Sequence, residues 1–307
     1  MEESSGVSSK AKMTGVLAIL AASVMWAIEP VITRLVRENA SLDSDLELAL
    51  NTALIRAAGM VLVAFVYVLI TNKGRLKIRR ANLPALVYVS IAATLVADTL
   101  YIYALVGQLP VVNAVLIGHM QPVFIVLIGF FILKEDKLNR NDYAGIVIMI
   151  AAGLLVMAKT FSNLVSLKLA TVGDLVVLFS TVLWATTAIA GRKHLTGLNA
   201  GVITFYRVAL ALIVLLIVVL PRPSFELSNG YQILLGGVVG VGAVLYYEGL
   251  KRLKAAQVAA LELFTPFFAA LLAFLCLKET VTWMQTGGIA LLFVGVYFLS
   301  RKEEAYF

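Results

Sequence analysis

Six ionisable residues stand inside long apolar runs of this chain: Glu29, Arg56, Asp98, His119, Arg207 and Glu262. Each type limits the chemistry on offer. A carboxylate in a low-dielectric layer can take up and release a proton, or hold a cation. An arginine fork suits a carboxylate on a substrate, and equally well ties two helices together. The run "ALELFTPFFAALLAFLCLKE" at 260–279 puts Glu262 among apolar neighbours and closes on Lys278–Glu279. Other chemistries are missing. The single cysteine, Cys276, excludes an internal disulfide and a multi-cysteine metal site. His119 and His194 lie far apart, and no phosphate loop or Gly-rich nucleotide fingerprint is present. No cofactor or metal is expected, and His119 with nearby carboxylates is too thin a warrant for an enzyme.

The elements that must hold these charges follow from composition. The chain has 307 residues, 61% of them hydrophobic and 14% charged, with a mean hydropathy of +0.95. Soluble domains carry about 25% charged and about 45–50% apolar residues. A soluble core of this size could not absorb the excess. The apolar residues come in blocks near the roughly 20 residues that a membrane-spanning helix needs. Ten such blocks are expected, at 13–36, 47–70, 83–105, 111–133, 142–158, 171–191, 199–220, 231–250, 255–277 and 284–300. None alternates every second residue as barrel strands do. The fold expected is an all-α integral membrane protein of ten continuous transmembrane helices, with the first helix retained and not cleaved as a signal peptide.

Ten spans put both termini on one side. That side carries 17 lysines and arginines, including the cluster "KGRLKIRR", against 6 on the other, with Arg56 and Arg207 within spans. The positive-inside rule then predicts cytoplasmic termini. It also accounts for the net charge of +7 without nucleic acid as a partner. Membrane lipid is an expected partner of the chain as a whole, and the basic cluster needs no role beyond setting orientation.

The chain repeats itself. Without a gap, residues 114–135 match 258–279 at seven of 22 positions, including Pro122 with Pro266 and Lys134–Glu135 with Lys278–Glu279. Residues 15–34 match 173–192 at seven of 20, including Trp26 with Trp184. Arg56 has its counterpart in Arg207, Tyr103 in Tyr247 and Asn113 in Gln257. Two five-helix halves are therefore expected at 13–158 and 171–301, joined by a linker at 159–170 and flanked by tails at 1–12 and 302–307. Five is odd, so the halves insert in opposite orientations, a 5+5 inverted repeat of the kind found in secondary transporters.

With its two Trp-Ala sequences, the prolines at 122 and 266 and the "LKE" ends at 133–135 and 277–279, the chain resembles the drug/metabolite transporter superfamily, in particular its EamA-like five-helix repeats. The resemblance implies a small-molecule substrate and a cavity between the halves. Its lining would come from the first, third and fourth spans of each half, here 13–36, 83–105, 111–133, 171–191, 231–250 and 255–277. It implies export of amino acids and other metabolites, or exchange of nucleotide sugars or sugar phosphates. The latter calls for a dense cationic pocket, which two arginines set against several carboxylates do not supply.

Depth counted at about 1.5 Å per residue puts Glu29, Arg56, Asp98 and His119 in the outward half of the membrane layer, and Arg207 and Glu262 in the inward half. Arg56 is thus expected to pair with Glu29 or Asp98, and Glu262 with Arg207. Asp174 and Glu248, near span ends, are expected to reach head groups. In the repeat, Glu29 aligns with Thr187, Asp98 with Gly242 and Glu262 with Gly118. A carboxylate present in one half only points beyond scaffolding, and Glu262 is the favoured functional residue. Trp26, Tyr101, Tyr103, Trp184 and Tyr247 either line the cavity or anchor at the interface. Gln121 and Gln257 are further pathway candidates. Pro122 and Pro266 kink their helices or turn polar groups inward. "AGIVIMIAAG" (144–153) and "GGIALLFVG" (287–295) offer close-packing faces, within a monomer or across a homodimer. The function expected is alternating-access export of a small metabolite such as an amino acid, in a prokaryotic plasma membrane, with proton coupling through Glu29, Asp98 or Glu262. A channel would favour a symmetric polar ring. A purely structural role would leave the six buried charges without purpose.

Overall fold

The computed structural model describes residues 9–133, 140–168, 170–195, 197–253 and 255–300; Lys134–Glu135 lies outside them. All regular structure among the described residues is helical. Eight stretches are long and apolar enough to cross a membrane: Lys12–Glu38, Asp45–Asn72, Arg80–Val106, Val111–Phe131, Arg140–Ala158, Val172–Gly191, Ala200–Val219 and Tyr231–Leu250. Two shorter apolar helices, Phe264–Leu277 and Trp283–Leu299, follow. With lipid on the outside, every backbone polar group has to be bonded within the bundle, and helices do this span by span. The chain is an integral membrane helical bundle.

Three expected spans are not continuous α-helices. The third starts as α3 (Leu83–Val89), widens into a π-helix over Ser90–Asp98 and resumes as α4 (Thr99–Val106). The fourth breaks at His119–Met120 into α5 (Val111–Gly118) and α6 (Gln121–Ile128). The last of its turns, Gly129–Leu133, is again π-helical. The ninth breaks at Leu263 into α12 (Ala255–Glu262) and α13 (Phe264–Leu277). Proline explains both breaks. Pro122 and Pro266 have no N–H for the carbonyls four residues back, Gly118 and Glu262. Those two residues are aligned partners in the repeat.

The remaining helices are α1 (Ser9–Glu38), α2 (Asp45–Asn72), α7 (Arg140–Ala158), the short α8 (Phe161–Val165), α9 (Val172–His194), α10 (Ala200–Val219), α11 (Tyr231–Leu250) and α14 (Trp283–Ser300). Starts are capped by side chains. Ser44 accepts from the Glu47 amide, Thr171 and Asp174 form a reciprocal box, and Asn199 accepts from Gly201 and Val202. One apolar cluster gathers α1, α4, α5, α7, α9, α13 and α14; a second fills the space between α1, α2, α4, α10 and α11.

Small residues set the closest approaches. The small-residue faces of α7 and α14 meet each other: a Cβ at Gly145 would lie 2.6 Å from Leu299, and one at Gly288 would lie 2.6 Å from Val156. Where α11 crosses α2, a Cβ on Gly236 would fall 2.9 Å from the Arg56 carbonyl oxygen and 3.0 Å from Gly59 Cα. Backbone thus touches backbone beside a buried arginine. Gly237, one residue on, has open space around its Cβ direction. Gly236→Ala is expected to lower the thermal midpoint in detergent, since overpacking costs about 1–3 kcal/mol. Gly237→Ala should leave the midpoint unchanged or raised, by the helix propensity of alanine. Equal midpoints for the two variants would refute the close crossing.

Candidate functional site

Arg56 is the residue on which the buried charges converge. It projects from α2 and is 5% exposed. Its Nη2 is 2.8 Å from Glu29 Oε1 of α1, and its Nη1 is 3.1 Å from Asp98 Oδ2 at the end of the π-helix. Arg207 of α10 reaches the same Asp98 oxygen at 3.5 Å, and the Trp184 indole N–H of α9 donates to Asp98 Oδ1 at 2.8 Å. The four ionised groups form a chain of alternating sign, Glu29–Arg56–Asp98–Arg207, drawn from five helical segments when Trp184 is included. Breaking one member of a buried pair leaves an uncompensated charge, so the chain constrains every helix that contributes to it.

The π-helix explains how Arg207 arrives. Bonding from each N–H five residues back widens the turn and brings residues four apart nearer to one line. Thr94 and Asp98 are such a pair. Arg207 Nε donates to Thr94 Oγ1 at 3.0 Å while its Nη2 meets Asp98. Tyr247 stands close enough to act on the charge of Arg207. The contacts of the Arg207 guanidinium go to Asp98 and Thr94 and not to the expected Glu262. Depth counted along ideal helices missed both the wide turn and the reach of an arginine side chain. Arg56 pairs with both expected carboxylates at once.

Aromatic rings border the chain. Trp26 packs on Tyr246 with centroids 4.8 Å apart, Tyr246 on Tyr247 at 5.7 Å, and Tyr101 edge-on against Trp184 at 5.3 Å. Trp26 precedes Glu29 by three residues on α1, and Tyr101 follows Asp98 by three, so each ring shares a helix face with a carboxylate. Tyr101 is buried; Trp26, Trp184, Tyr246 and Tyr247 are half-buried. Arg207 is the most exposed of the charged four, with 20% of its side chain accessible against 6% for Arg56 and 5% for Asp98. Gly242, aligned with Asp98, sits where a Cβ would be 3.3 Å from the Trp26 indole nitrogen. Each repeat thus aims an indole at this position, and only one repeat supplies a carboxylate to receive it.

The other candidates fall around this centre. His119 closes α5, its Nδ1 2.7 Å from the Val115 carbonyl, and its ring lies near the Glu262 backbone. Gln121 donates to the Trp184 carbonyl at 3.2 Å. Glu262 is half-buried at the end of α12, Gln257 is exposed near its start, and Tyr103 packs into the apolar cluster around α2. Asp174 does not reach head groups. It is fully buried, accepting from Asn113 Nδ2 at 2.7 Å, and Asn113 in turn accepts from Gln285 at 2.7 Å. Glu248 does pair at the surface, with Lys251 and Arg252. The sequence reading missed Thr94 and Gln285, which carry no charge to betray them. No group of three or more metal-ligating side chains gathers among the described residues.

Replacing Arg56 with methionine strands two buried carboxylates. The expected loss is about 3–5 kcal/mol of stability, read as a drop in the thermal midpoint. Glu29→Gln and Asp98→Asn, added to Arg56→Met, should recover much of it. A triple variant no more stable than Arg56→Met would show that the carboxylates are not what the arginine serves.

Comparison with known proteins agrees with this architecture. The model of the EamA-like transporter family matches residues 13–158 and again 171–301. A protein of Methanothermobacter thermautotrophicus described as an uncharacterised transporter is 26% identical over 241 residues, covering 75% of this chain and 68% of its own length. A Chlamydia trachomatis protein named an S-adenosylmethionine/S-adenosylhomocysteine transporter is 27% identical over 163 residues, covering 51% of this chain and 50% of its own length. A solved crystal structure superposes with a TM-score of 0.61 at 22% identity, over 96% of this chain and 99% of the other, which speaks to the fold alone. Spanning both halves of the chain, the match places this protein in the EamA-like transporter family.

Proposed function

We propose that the protein is an alternating-access secondary transporter that exports a small zwitterionic metabolite such as an amino acid or an amino-acid derivative. The two repeats, 13–158 and 171–301, form an inverted pair of five spans each, joined by the linker 159–170 and flanked by the tails 1–12 and 302–307. Both termini face the cytoplasm of a prokaryotic cell. The observation that carries the reading is the neutral charge chain at the bundle centre with aromatic rings at its sides.

A zwitterion matches such a chain end to end. Arg207, the most accessible donor, suits a substrate carboxylate. Glu29 is held by Arg56 through Oε1 alone, and suits a substrate ammonium. Trp26, Trp184, Tyr101 and Tyr247 offer faces to an apolar or planar remainder. His119, Gln121, Gln257, Glu262 and Tyr103 complete the proposed pathway set. The Chlamydia relatives named for S-adenosylmethionine and S-adenosylhomocysteine favour a substrate with the same amino-acid head and a planar base. A sugar phosphate would bring a dianion to a site whose two arginines are already balanced by two carboxylates.

Purified protein in liposomes decides the matter. Counterflow would be measured with amino acids, S-adenosylmethionine, S-adenosylhomocysteine, nucleosides and sugar phosphates, with and without a pH gradient. Saturable movement of a zwitterion is expected, and saturable movement of sugar phosphates alone would overturn the reading. An accelerating pH gradient would support proton coupling through Glu29, Asp98 or Glu262, and indifference to it would remove that coupling. Arg207→Lys is expected to raise KM for the zwitterion roughly tenfold, since lysine gives up the two-pronged geometry. The carboxamide analogue should lose much less; equal losses would mean that Arg207 does not read the carboxylate.

A further inference from the structure

The Lys278–Glu279 end of the second half does more than finish a helix. Lys278 adopts a left-handed backbone with φ 57°, and its amide and that of Glu279 both return to the Ala273 carbonyl. This closing turn of α13 fixes the direction of the Glu279 side chain. Its Oε2 accepts the Val111 amide at 2.9 Å, the first amide of α5. Such an amide is one that a helix start leaves without a partner. Arg34 of α1 lies 3.8 Å from Oε1, with its Nε and Nη1 buried and without a hydrogen-bond partner. Lys159, beyond α7, is the further charge acting on the carboxylate. Burial holds the Glu279 carboxyl above the usual carboxylate range, and the Val111 amide and Arg34 draw it back down.

What this carboxylate joins gives it meaning. The half-helices α5 and α13 belong to opposite halves of the chain. Each is broken at its inner end at aligned positions, one after Gly118 and the other after Glu262, each ahead of a proline. Glu279 fastens their outer ends to each other. Behind it the packing is tight: Val111, Val112, Asn113, Asp174 and Gln285 are at most 3% exposed. Past the break in the fourth span it loosens: along α6 only Val123 is buried. At its outer end α5 is held by Asn113, bonded to Asp174 and Gln285, and by the Glu279 carboxylate, among the described residues the one charged side chain there that reaches across from α13.

We propose that Glu279 is the positioning residue that shuts the pathway on the side opposite the chain termini, by pinning the start of α5 to the end of α13, and that it must release α5 in each transport cycle. The proposal rests on the carrier reading above for its role in the cycle, but the pin itself is read without any substrate.

The test uses full-length protein in sealed vesicles of known orientation, with Cys276→Ser as background and Ile117→Cys as reporter. Ile117 is fully buried on α5, behind the pin. A membrane-impermeant maleimide is added from the side of Glu279. Glu279→Ala is expected to speed labelling at least tenfold, with Glu279→Asp closer to the parent. Val111→Pro supplies an independent arm. Proline is tolerated at the first position of a helix and removes the amide while leaving Glu279 in place. It should speed labelling too, and add little to Glu279→Ala. Labelling within twofold of the parent in either folded variant would overturn the pin. Failure of the parent to transport, with these labelling differences present, would instead count against the carrier reading.

Discussion

A carboxylate placed in the middle of a bilayer-sized bundle has to be met by donors or lose its charge. Asp98 is met by three, from α2, α9 and α10. This requirement organises the molecule. It calls for a wide turn in the third span, so that Thr94 and Asp98 can share one guanidinium. Where α11 crosses α2, Gly236 lets the two backbones meet beside buried Arg56. The same requirement brings together α2 and α10, the helices carrying the repeated arginines, on the single carboxylate of Asp98. A structural salt bridge needs two groups. Four groups of alternating sign, one of them open at its edge, leave room for a visiting molecule to replace a contact without leaving any charge unmatched.

The repeat supplies the scaffold, and departures from it supply the chemistry. Trp26 and Trp184 face equivalent positions, yet one finds glycine and the other aspartate. Two prolines free two equivalent carbonyls, yet the residue that follows is His119 in one half and Leu263 in the other. A duplicated frame keeps the two sides mechanically alike while their interiors diverge. On the carrier reading proposed above, such an arrangement suits halves that exchange roles around a ligand with no symmetry of its own.

Much of this was legible in the sequence. Hydropathy marked the membrane helices, the Trp, Pro and Lys-Glu matches marked the two halves, and the charge of Arg56 amid apolar residues called for Glu29 or Asp98 as its partner, where the structure gives it both. What could not be read followed from irregular geometry. A constant rise per residue assigned Arg207 to a different layer from Asp98; a π-helix and a long side chain closed the gap. The breaks at Met120 and Leu263 turn two long apolar blocks into four segments, and proline alone signalled a kink or a break without choosing between them. Asp174 looked wet because it begins a span, but Asn113 and Gln285 hold it dry. Pairings across halves depend on which helices are neighbours, and no local pattern carries that information.

The balance of signs along the central chain has a consequence for energetics. A membrane potential does work on charge that crosses it, about 2.3 kcal/mol per elementary charge for each 100 mV. Glu29, Arg56, Asp98 and Arg207 sum to zero. A common shift of the four groups across the field therefore does no electrical work. On the carrier reading proposed above, the net charge of these residues adds no voltage dependence to the empty return, and the charge of the cargo sets the electrical signature of a cycle.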